Sequence, residues 1–393
     1  MRSALLLLVA LIQTAPSPPR PSDDVARLRR EADAHSAAGR HLDAVTTLRE
    51  ATKLAPNLPS GWYALGRAYN AIKDEAMRTF DASREETPWR QLLGADAQAS
   101  RGQWTEAFTL YRLTLDRLPS MVTIHDAIAD IYERTHHADW AAKERAAAAA
   151  SPVDCAVRRA LCAFRAKDYQ AALDATLAGT DAESRYWRAR AANELALAAF
   201  DRLDRLPDSL ERRGVRASRA RAEQRIPDAV AEYKAMLALM PGNLANARAL
   251  AESYYLMRDY EQAIATLTPL LRSRPDDASL LELMGFSLLQ LRRIDEALPM
   301  LQRAHEWNPA DPGRRLALGR AYLQHGDFAE AVPLIESQLA GDRDGSLHIQ
   351  LARAYSKLGQ REKSEALLER SQAIQRAVAT QNAAIAQWTI TPP

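Results

Sequence analysis

Residues 294–309 read Ile-Asp-Glu-Ala-Leu-Pro-Met-Leu-Gln-Arg-Ala-His-Glu-Trp-Asn-Pro, with Ala297, Leu301 and Pro309 at fixed places. A step of 34 residues back finds Ala263, Leu267 and Pro275, and a second step finds Ala229, Tyr233 and Pro241. One step forward finds Ala331 and Ile335, and Pro207 heads the proline series. A constant period of this length marks a repeat array, whose core grows along an axis instead of around one centre. Such an array offers a long surface for holding partners and no evident place for bond-making chemistry.

The rest of the composition agrees. Apolar residues make up 47% of the 393 positions, so there is ample material to bury, and the dominant Ala, Leu, Arg and Glu are good helix formers. The 52 basic and 50 acidic side chains nearly cancel. That balance argues against a nucleic-acid or membrane-surface role for the chain as a whole.

Working outward, Trp62-x2-Leu65-Gly66-x2-Tyr69 carries a first-helix signature, and its slots recur as Leu318-Gly319-x2-Tyr322 and Leu351-Ala352-x2-Tyr355. Looser copies are Met284-Gly285-x2-Leu288 and Ala251-x2-Tyr254. The physical reading is a helical hairpin. A small residue sits where two helices cross closely, and large residues three before and three after pack on the same face. In the second helix the ladder alanine permits close approach again, the Tyr or Leu four residues later fills the gap to the next repeat, and the proline ends the helix. These slots place repeats near Val25, Pro59, Pro88, Val122, Val153, Leu210, Leu244, Ala278, Pro312 and Gly345.

On those motifs the chain resembles the tetratricopeptide-repeat (TPR) family over roughly residues 25–371. The resemblance implies an all-α solenoid, a right-handed superhelix of antiparallel helix pairs whose concave groove takes peptides or partner domains. The expected organisation is an N-terminal array at 25–179, a degenerate helical repeat at 180–209 and a regular array at 210–371. A capping helix at 372–388, carrying Ile374, Val378, Ile385 and Trp388, covers the open end, and a disordered tail follows at 389–393. Within the degenerate stretch, Tyr186, Arg190, Ala191 and Asn193 match Tyr63, Arg67, Ala68 and Asn70 at a shift of 123. Either a block duplication or coincidence among alanine-rich helices accounts for the match, and both stretches are expected to form tight or irregular hairpins.

The chain starts with Met1-Arg2 and an apolar run from Ser3 to Ile12, too short to cross a bilayer of about 30 Å and of signal-peptide length. A signal peptide at 1–15, a proline-rich linker at 16–24 and an exported, periplasmic or secreted protein are the expectation. No cysteine follows within the first hundred residues, which speaks against a lipid anchor there. The two cysteines are Cys155 and Cys162. Ser151-Pro152-Val153-Asp154 reads as a helix start. On one helix the pair stands about 10.5 Å apart, beyond the roughly 7 Å a disulfide allows. Two buried thiols, or a disulfide made by a frayed first turn, both remain open.

Catalytic and metal motifs are missing. His136-His137 falls in an inter-helix turn, and His305-Glu306 lacks the second histidine of a zinc-protease helix. There is no nucleophile elbow, phosphate loop or dinucleotide fingerprint, so neither turnover nor a cofactor is expected. The arginine cluster Arg212, Arg213, Arg216, Arg219, Arg221 and Arg225 is interleaved with Glu211 and Glu223, as on a solvated face. In the TPR family, groove contacts come chiefly from slots 2, 5, 9 and 12 of the first helix. Slot 9 here carries Arg67, Asp96, Asp130, Glu252, Phe286, Arg320 and Arg353, and slot 5 carries Tyr63, Asp126, Arg248 and Glu282. The groove is therefore expected to be acidic near Asp96, Asp126 and Asp130 and basic near Arg320 and Arg353. Pairing of the slot-9 arginines with neighbouring repeats is the competing reading. The carboxylate clamp of chaperone-binding relatives is absent. The reading is a non-catalytic scaffold for a partner protein. Its rivals are a structural subunit of an envelope assembly or export machine, and a regulatory subunit of a separately encoded enzyme.

Overall fold

The computed structural model describes residues 21–83, 87–119, 121–386 and 389–393. The apolar start at 1–15 lies outside the described residues, as do residues 16–20 of the expected linker. In chain order the helices are α1 (Pro21–Ala37), α2 (His41–Leu54), α3 (Pro59–Ser83), α4 (Pro88–Ser100), α5 (Trp104–Arg117), α6 (Val122–Arg134) and α7 (Ala138–Ala150). Then come α8 (Arg159–Arg165), α9 (Tyr169–Asp174), α10 (Ala182–Asp204), α11 (Leu210–Ala222), α12 (Ile226–Leu239), α13 (Leu244–Leu256) and α14 (Tyr260–Ser273). The last are α15 (Ala278–Gln290), α16 (Ile294–Trp307), α17 (Pro312–His325), α18 (Phe328–Glu336), α19 (Ser346–Lys357) and α20 (Arg361–Ala386), with a 3-10 turn at Leu339–Gly341. There is no strand among the described residues, and none of their helices is long and apolar enough to cross a membrane. The all-α repeat solenoid is the fold of this chain.

The regular hairpins form for the reasons the slots suggest. Ala263, Ala297 and Ala331 are fully buried, and so are Leu267 and Ile335, with Leu301 at 1% exposure. The ladder side chain does one thing more than expected. Leu301 fills the crossing inside its own hairpin, α15–α16, where a Cβ on Gly285 would lie 2.5 Å from Leu301 Cγ, and it shares a buried core with Ala317, Leu318 and Ala321 of the next repeat. Gly319 meets Ile335 in the same way, within α17–α18. Each hairpin turns through a left-handed residue, and Gln224, Arg258, Arg292 and Gly326 occupy one slot of the period with φ of 59°, 62°, 61° and 106°. Several first helices are capped by aspartate. Asp181 accepts from the Ser184 amide at 2.9 Å and Asp311 from the Arg314 amide at 3.0 Å. Those bonds hold both carboxyls below the usual range. Their stabilising contribution is therefore in place above the ordinary carboxylate pKa and is lost as the pH falls below it.

The chain divides into two compact units, each discontinuous in sequence. One comprises residues up to 85 together with 153–207; the other comprises 86–152 and 208–393. In the first, α3 and α10 correct the expectation of irregular hairpins. Each continues unbroken, α3 from Pro59 to Ser83 and α10 from Ala182 to Asp204, with no glycine and no left-handed residue along its second half. The two long helices pack antiparallel, Gly66 near the start of α3 facing Phe200 near the end of α10. Small residues make the close approach possible: Ala68, Ala76, Ala191, Ala192, Ala196 and Ala199 are all buried. The helix α1 already starts at Pro21, so the end of the expected linker is helical, with proline tolerated in a first turn.

Five consecutive helices recur along the chain. The starts of α3 to α7 reappear as those of α10 to α14, offset by 123 residues for the first pair and 122 for the other four. For α4 to α7 this register follows from the repeat period itself; what the two blocks share beyond it is the long helix, α3 or α10, that opens each.

Around the cysteines the helix begins later than Ser151-Pro152 implied. The Asp154 side chain accepts from the Ala156 amide, and its carbonyl accepts from Val157 and Arg158, which makes a turn of residues 154–158 and delays α8 to Arg159. Cys155 in that turn then stands 5.7 Å, Cα to Cα, from Cys162 on α8, and the two are disulfide-bonded. Closing so short a loop contributes about 2.5 kcal/mol in the chain-entropy account. We expect no free thiol in the unreduced protein, and for Cys155→Ser faster amide exchange across α8 and α9. Two titratable thiols before reduction would refute the pairing.

At the other end, the expected capping helix is the second half of the 26-residue α20 and not a separate element, since no turn residue interrupts 361–386. Ser371 is buried on Gly345, whose carbonyl accepts its hydroxyl at 2.9 Å, and Ile374 and Val378 are half-buried. Ile385 and Trp388 lie outside the described side chains. Residues 389–393 have no regular structure, yet they are not a free tail: the Tyr132 hydroxyl donates to the Thr391 carbonyl at 2.5 Å.

Candidate functional site

Three kinds of environment receive the residues expected to line the groove. In the first unit, Tyr63 and Arg67 lie on one face of α3, with the guanidinium 5.8 Å from the ring centroid. They border a pocket of about 310 Å³ shared with Arg29, Asp33 and His41. The buried Nε of Arg29 and Nδ1 of His41 have no hydrogen-bond partner among the described residues.

In the second unit, the expected acidic stretch is largely engaged. Asp96 accepts from the Tyr111 hydroxyl at 2.7 Å, and Asp130 lies 3.5 Å from Arg145. Asp126 is half-buried on α6, and it too has a partner. The middle of the array is likewise committed to internal pairing, through slot-9 Glu252 and slot-5 Arg248 and Glu282. Glu252 on α13 takes Arg248 at 2.8 Å and Arg221, from the preceding α11, at 3.2 Å. Arg248 also donates to Ser279 on α15, and Glu282 lies 3.4 Å from Arg314 on α17. These partly exposed pairs are worth a few tenths of a kcal/mol each and chiefly fix the register of neighbouring hairpins. The arginine cluster is neutralised in the same manner: Arg213 pairs with Asp208 and Glu232, and Arg225 with Glu223 and Asp228.

The last hairpins differ. Arg320 on α17 and Arg353 on α19 are exposed, and neither has an acidic partner among the described residues. With Lys357 they place three cations around a pocket of about 560 Å³. Leu323, Phe328 and Ala354 line it on the apolar side, and Gln324 and Gln350 add amides that donate and accept. Phe286 lies beside Tyr255, with ring centroids 6.4 Å apart. Burial pushes the Tyr255 hydroxyl up, and the charge of Arg320 works against that rise, which places Arg320 within electrostatic reach of the aromatic pair. Cations, amides and an apolar wall in one concavity suit an extended anionic segment with a bulky side chain.

Of the residues named from slots, Arg320 and Arg353 line this pocket and Phe286 does not, whereas Gln324, Lys357 and Phe328 line it without having been named. Gln324 and Lys357 stand at slot 13, one turn beyond slot 9 on the same face, where the slot rule does not look. Phe328 belongs to a second helix, and only the closeness of α17, α18 and α19 brings it in. No group of three or more His, Cys, Asp or Glu side chains among the described residues is arranged to hold a metal ion.

Comparison with known proteins gives family and fold. Models described as tetratricopeptide repeat match residues 29–88, 220–285, 288–347 and 345–378, together more than half of the chain. No curated protein matches. Among solved structures, the crystal structure of the MamA protein is 18% identical, covering 44% of this chain and 94% of its own, with a TM-score of 0.39. MamA 41-end from Desulfovibrio magneticus RS-1 is 16% identical over 43% of this chain and 97% of its own, with a TM-score of 0.40. YrrB, described as a TPR protein with an unusual peptide-binding site, is 24% identical over 41% of this chain and 83% of its own, with a TM-score of 0.37.

Proposed function

The chain belongs to the tetratricopeptide-repeat family, and from that premise we propose that it is a non-catalytic scaffold that captures an acidic, extended segment of another protein between α17 and α19. The observation that carries this reading is the contrast within one array. Slot residues in the middle are paired with neighbouring repeats, whereas Arg320, Arg353 and Lys357, around an apolar-walled pocket, have no acidic partner among the described residues. Unpaired cations in a concavity raise the local concentration of anionic partners and speed their capture. The charge-paired middle hairpins favour a second role for that stretch alone, as a spacer holding the pocket in place.

Export belongs to the same proposal. The apolar start Ser3–Ile12 and the Cys155–Cys162 disulfide both suit an oxidising compartment outside the cytosol. N-terminal sequencing of the mature protein tests it, and a chain that retains Met1 in the cytosolic fraction refutes it.

For the binding reading, proteins crosslinked to the wild-type chain in the native envelope are compared with those crosslinked to Arg320→Glu/Arg353→Glu. Two charge reversals in a partly desolvated pocket are expected to weaken capture by roughly 100-fold, and about 0.5 M salt is expected to mimic part of that loss. Arg225→Glu, in a charge-paired turn, is expected to capture like the wild type. An unchanged partner set in the double variant rules the pocket out.

A further inference from the structure

The tyrosine at slot 11 recurs as Tyr69, Tyr132, Tyr254, Tyr322 and Tyr355; the Tyr254 ring lies under Lys234, and the hydroxyls of the other four are hydrogen-bonded. Tyr69 donates to Gln170 at 3.1 Å, Tyr322 accepts from Gln302 at 3.0 Å, and Tyr355 donates to Glu336. All three partners are side chains of helices packed nearby. Tyr132 on α6 is the exception. Its hydroxyl is satisfied by a main-chain carbonyl from Thr391, 259 residues away.

Three further observations converge on that contact. First, Tyr132 is fully buried. Its ring packs edge-on against Trp140 at 5.5 Å and tilted against Phe108 at 5.5 Å, while His137 stacks on Trp140 at 4.1 Å. The hydroxyl is thus aimed by a rigid aromatic cluster, and burial raises its pKa, keeping the proton available for donation. Second, the described helices α4–α7 have no extensive packing with α11–α20, yet both sets form one compact unit. The Tyr132–Thr391 bond spans them. Third, the segment Thr389-Ile390-Thr391-Pro392-Pro393 has the chemistry of an extended ligand. A residue before proline is held in the β or polyproline II region, and the two prolines carry no N–H to satisfy. Such a segment docks by offering carbonyls to donors set among aromatic rings, with little conformational entropy left to lose. Ile390 is half-buried and Thr391 is exposed, so the segment lies on the surface with one side chain turned in.

We propose that the face of α6 around Tyr132 is a binding site for an extended, uncharged, proline-containing segment, and that residues 389–393 of the same chain occupy it, latching the α4–α7 hairpins to the α11–α20 array. This site is separate in place and chemistry from the basic pocket of α17–α19.

The test compares the full chain with one lacking residues 389–393, using hydrogen exchange and a synthetic peptide of sequence Thr-Ile-Thr-Pro-Pro. Deletion is expected to speed amide exchange across residues 122–134 several-fold, and the peptide at millimolar concentration to restore protection. Because a tethered segment acts at an effective concentration of about 1 mM, the full chain is expected to bind the peptide about ten-fold more weakly than the shortened chain. In the shortened chain, Tyr132→Phe is expected to lose about five-fold in peptide affinity through the missing hydrogen bond, with its melting temperature retained. Should Tyr132→Phe fold poorly, Ile390→Asp in the full chain leaves α6 intact and is expected to give the exchange pattern of the deletion. The proposal is overturned if exchange in α6 ignores the deletion and Ile390→Asp alike, or if the peptide shows no saturable binding to the shortened chain. It is also overturned if the full chain is a dimer that the deletion makes monomeric, since the segment is then exchanged between copies.

Discussion

Gly285→Val is expected to lower the stability of the α15–α16 region by about 3 kcal/mol. A Cβ at this position stands 2.5 Å from Leu301 Cγ and 2.7 Å from its Cδ2, and Leu301 is 1% exposed within a core that includes Met284, Leu288 and Ala297. Neither helix can retreat without opening the contacts of both neighbouring hairpins. The gain in helix propensity on replacing glycine, about 1 kcal/mol for alanine and less for valine, is too small to offset the clash. Urea unfolding resolved by hydrogen exchange over residues 278–307 measures the effect. The mechanism has its own check. Leu301→Ala alone is expected to cost about 2–5 kcal/mol as a cavity, and the pair Gly285→Ala/Leu301→Ala to cost less than the sum of its single changes, because the added methyl enters the vacated space. Additive costs would show that the two residues do not share the crossing. Gly242, where an added methyl would meet nothing within 4 Å, serves as the control; its change to alanine is expected to stay within about 0.5 kcal/mol.

Asp342→Ala is expected to release α19 and α20 from the end of the array at a cost of about 3 kcal/mol. The Asp342 side chain is 2% exposed, and its Oδ2 accepts both the ring Nδ1–H of His348, at 2.6 Å, and the backbone N–H of His348, at 3.0 Å. One oxygen therefore satisfies an orphan amide in the first turn of α19 and a buried imidazole. Removing it leaves both donors buried without a partner. Because a repeat array transmits stability through nearest neighbours, the loss is expected to stay in the terminal hairpin. Exchange protection should fall over residues 346–380 and persist over 278–307. Asp342→Asn keeps an acceptor but no charge, and is expected to recover about half of the loss. Uniform destabilisation of the whole array would refute a local role for this carboxylate.

Where the sequence was legible, one physical condition held: the structural cause lay within a single hairpin. Helices open at Pro59, Pro88, Val122, Leu210, Leu244, Ala278 and Pro312, where the repeat slots put them, because proline at a first turn, a small residue at a crossing and a ladder side chain act over distances of one or two helical turns. Val153 failed as a repeat start for an equally local reason, the Asp154 turn, which competes with a helix start for the same residue types. Of the candidate groove residues, Arg320, Arg353 and Phe286 could be named from slots, but the arginines' lack of acidic partners could not. Whether a slot-9 charge is free or spent depends on what the neighbouring first helix carries one repeat away, as Glu252 with Arg221 shows.

By itself the sequence determined the repeat period, the helix starts and the small-residue crossings, since these follow from contacts inside a 34-residue unit. The tertiary structure alone decided the pairing of α3 with α10, the closure of the Cys155–Cys162 disulfide and the seat of Thr391 on Tyr132. The disulfide depends on the Asp154 turn winning over a helix start, and the other two on which surfaces the folded array brings into reach, because periodicity carries no information about the distance between residues that belong to different repeats.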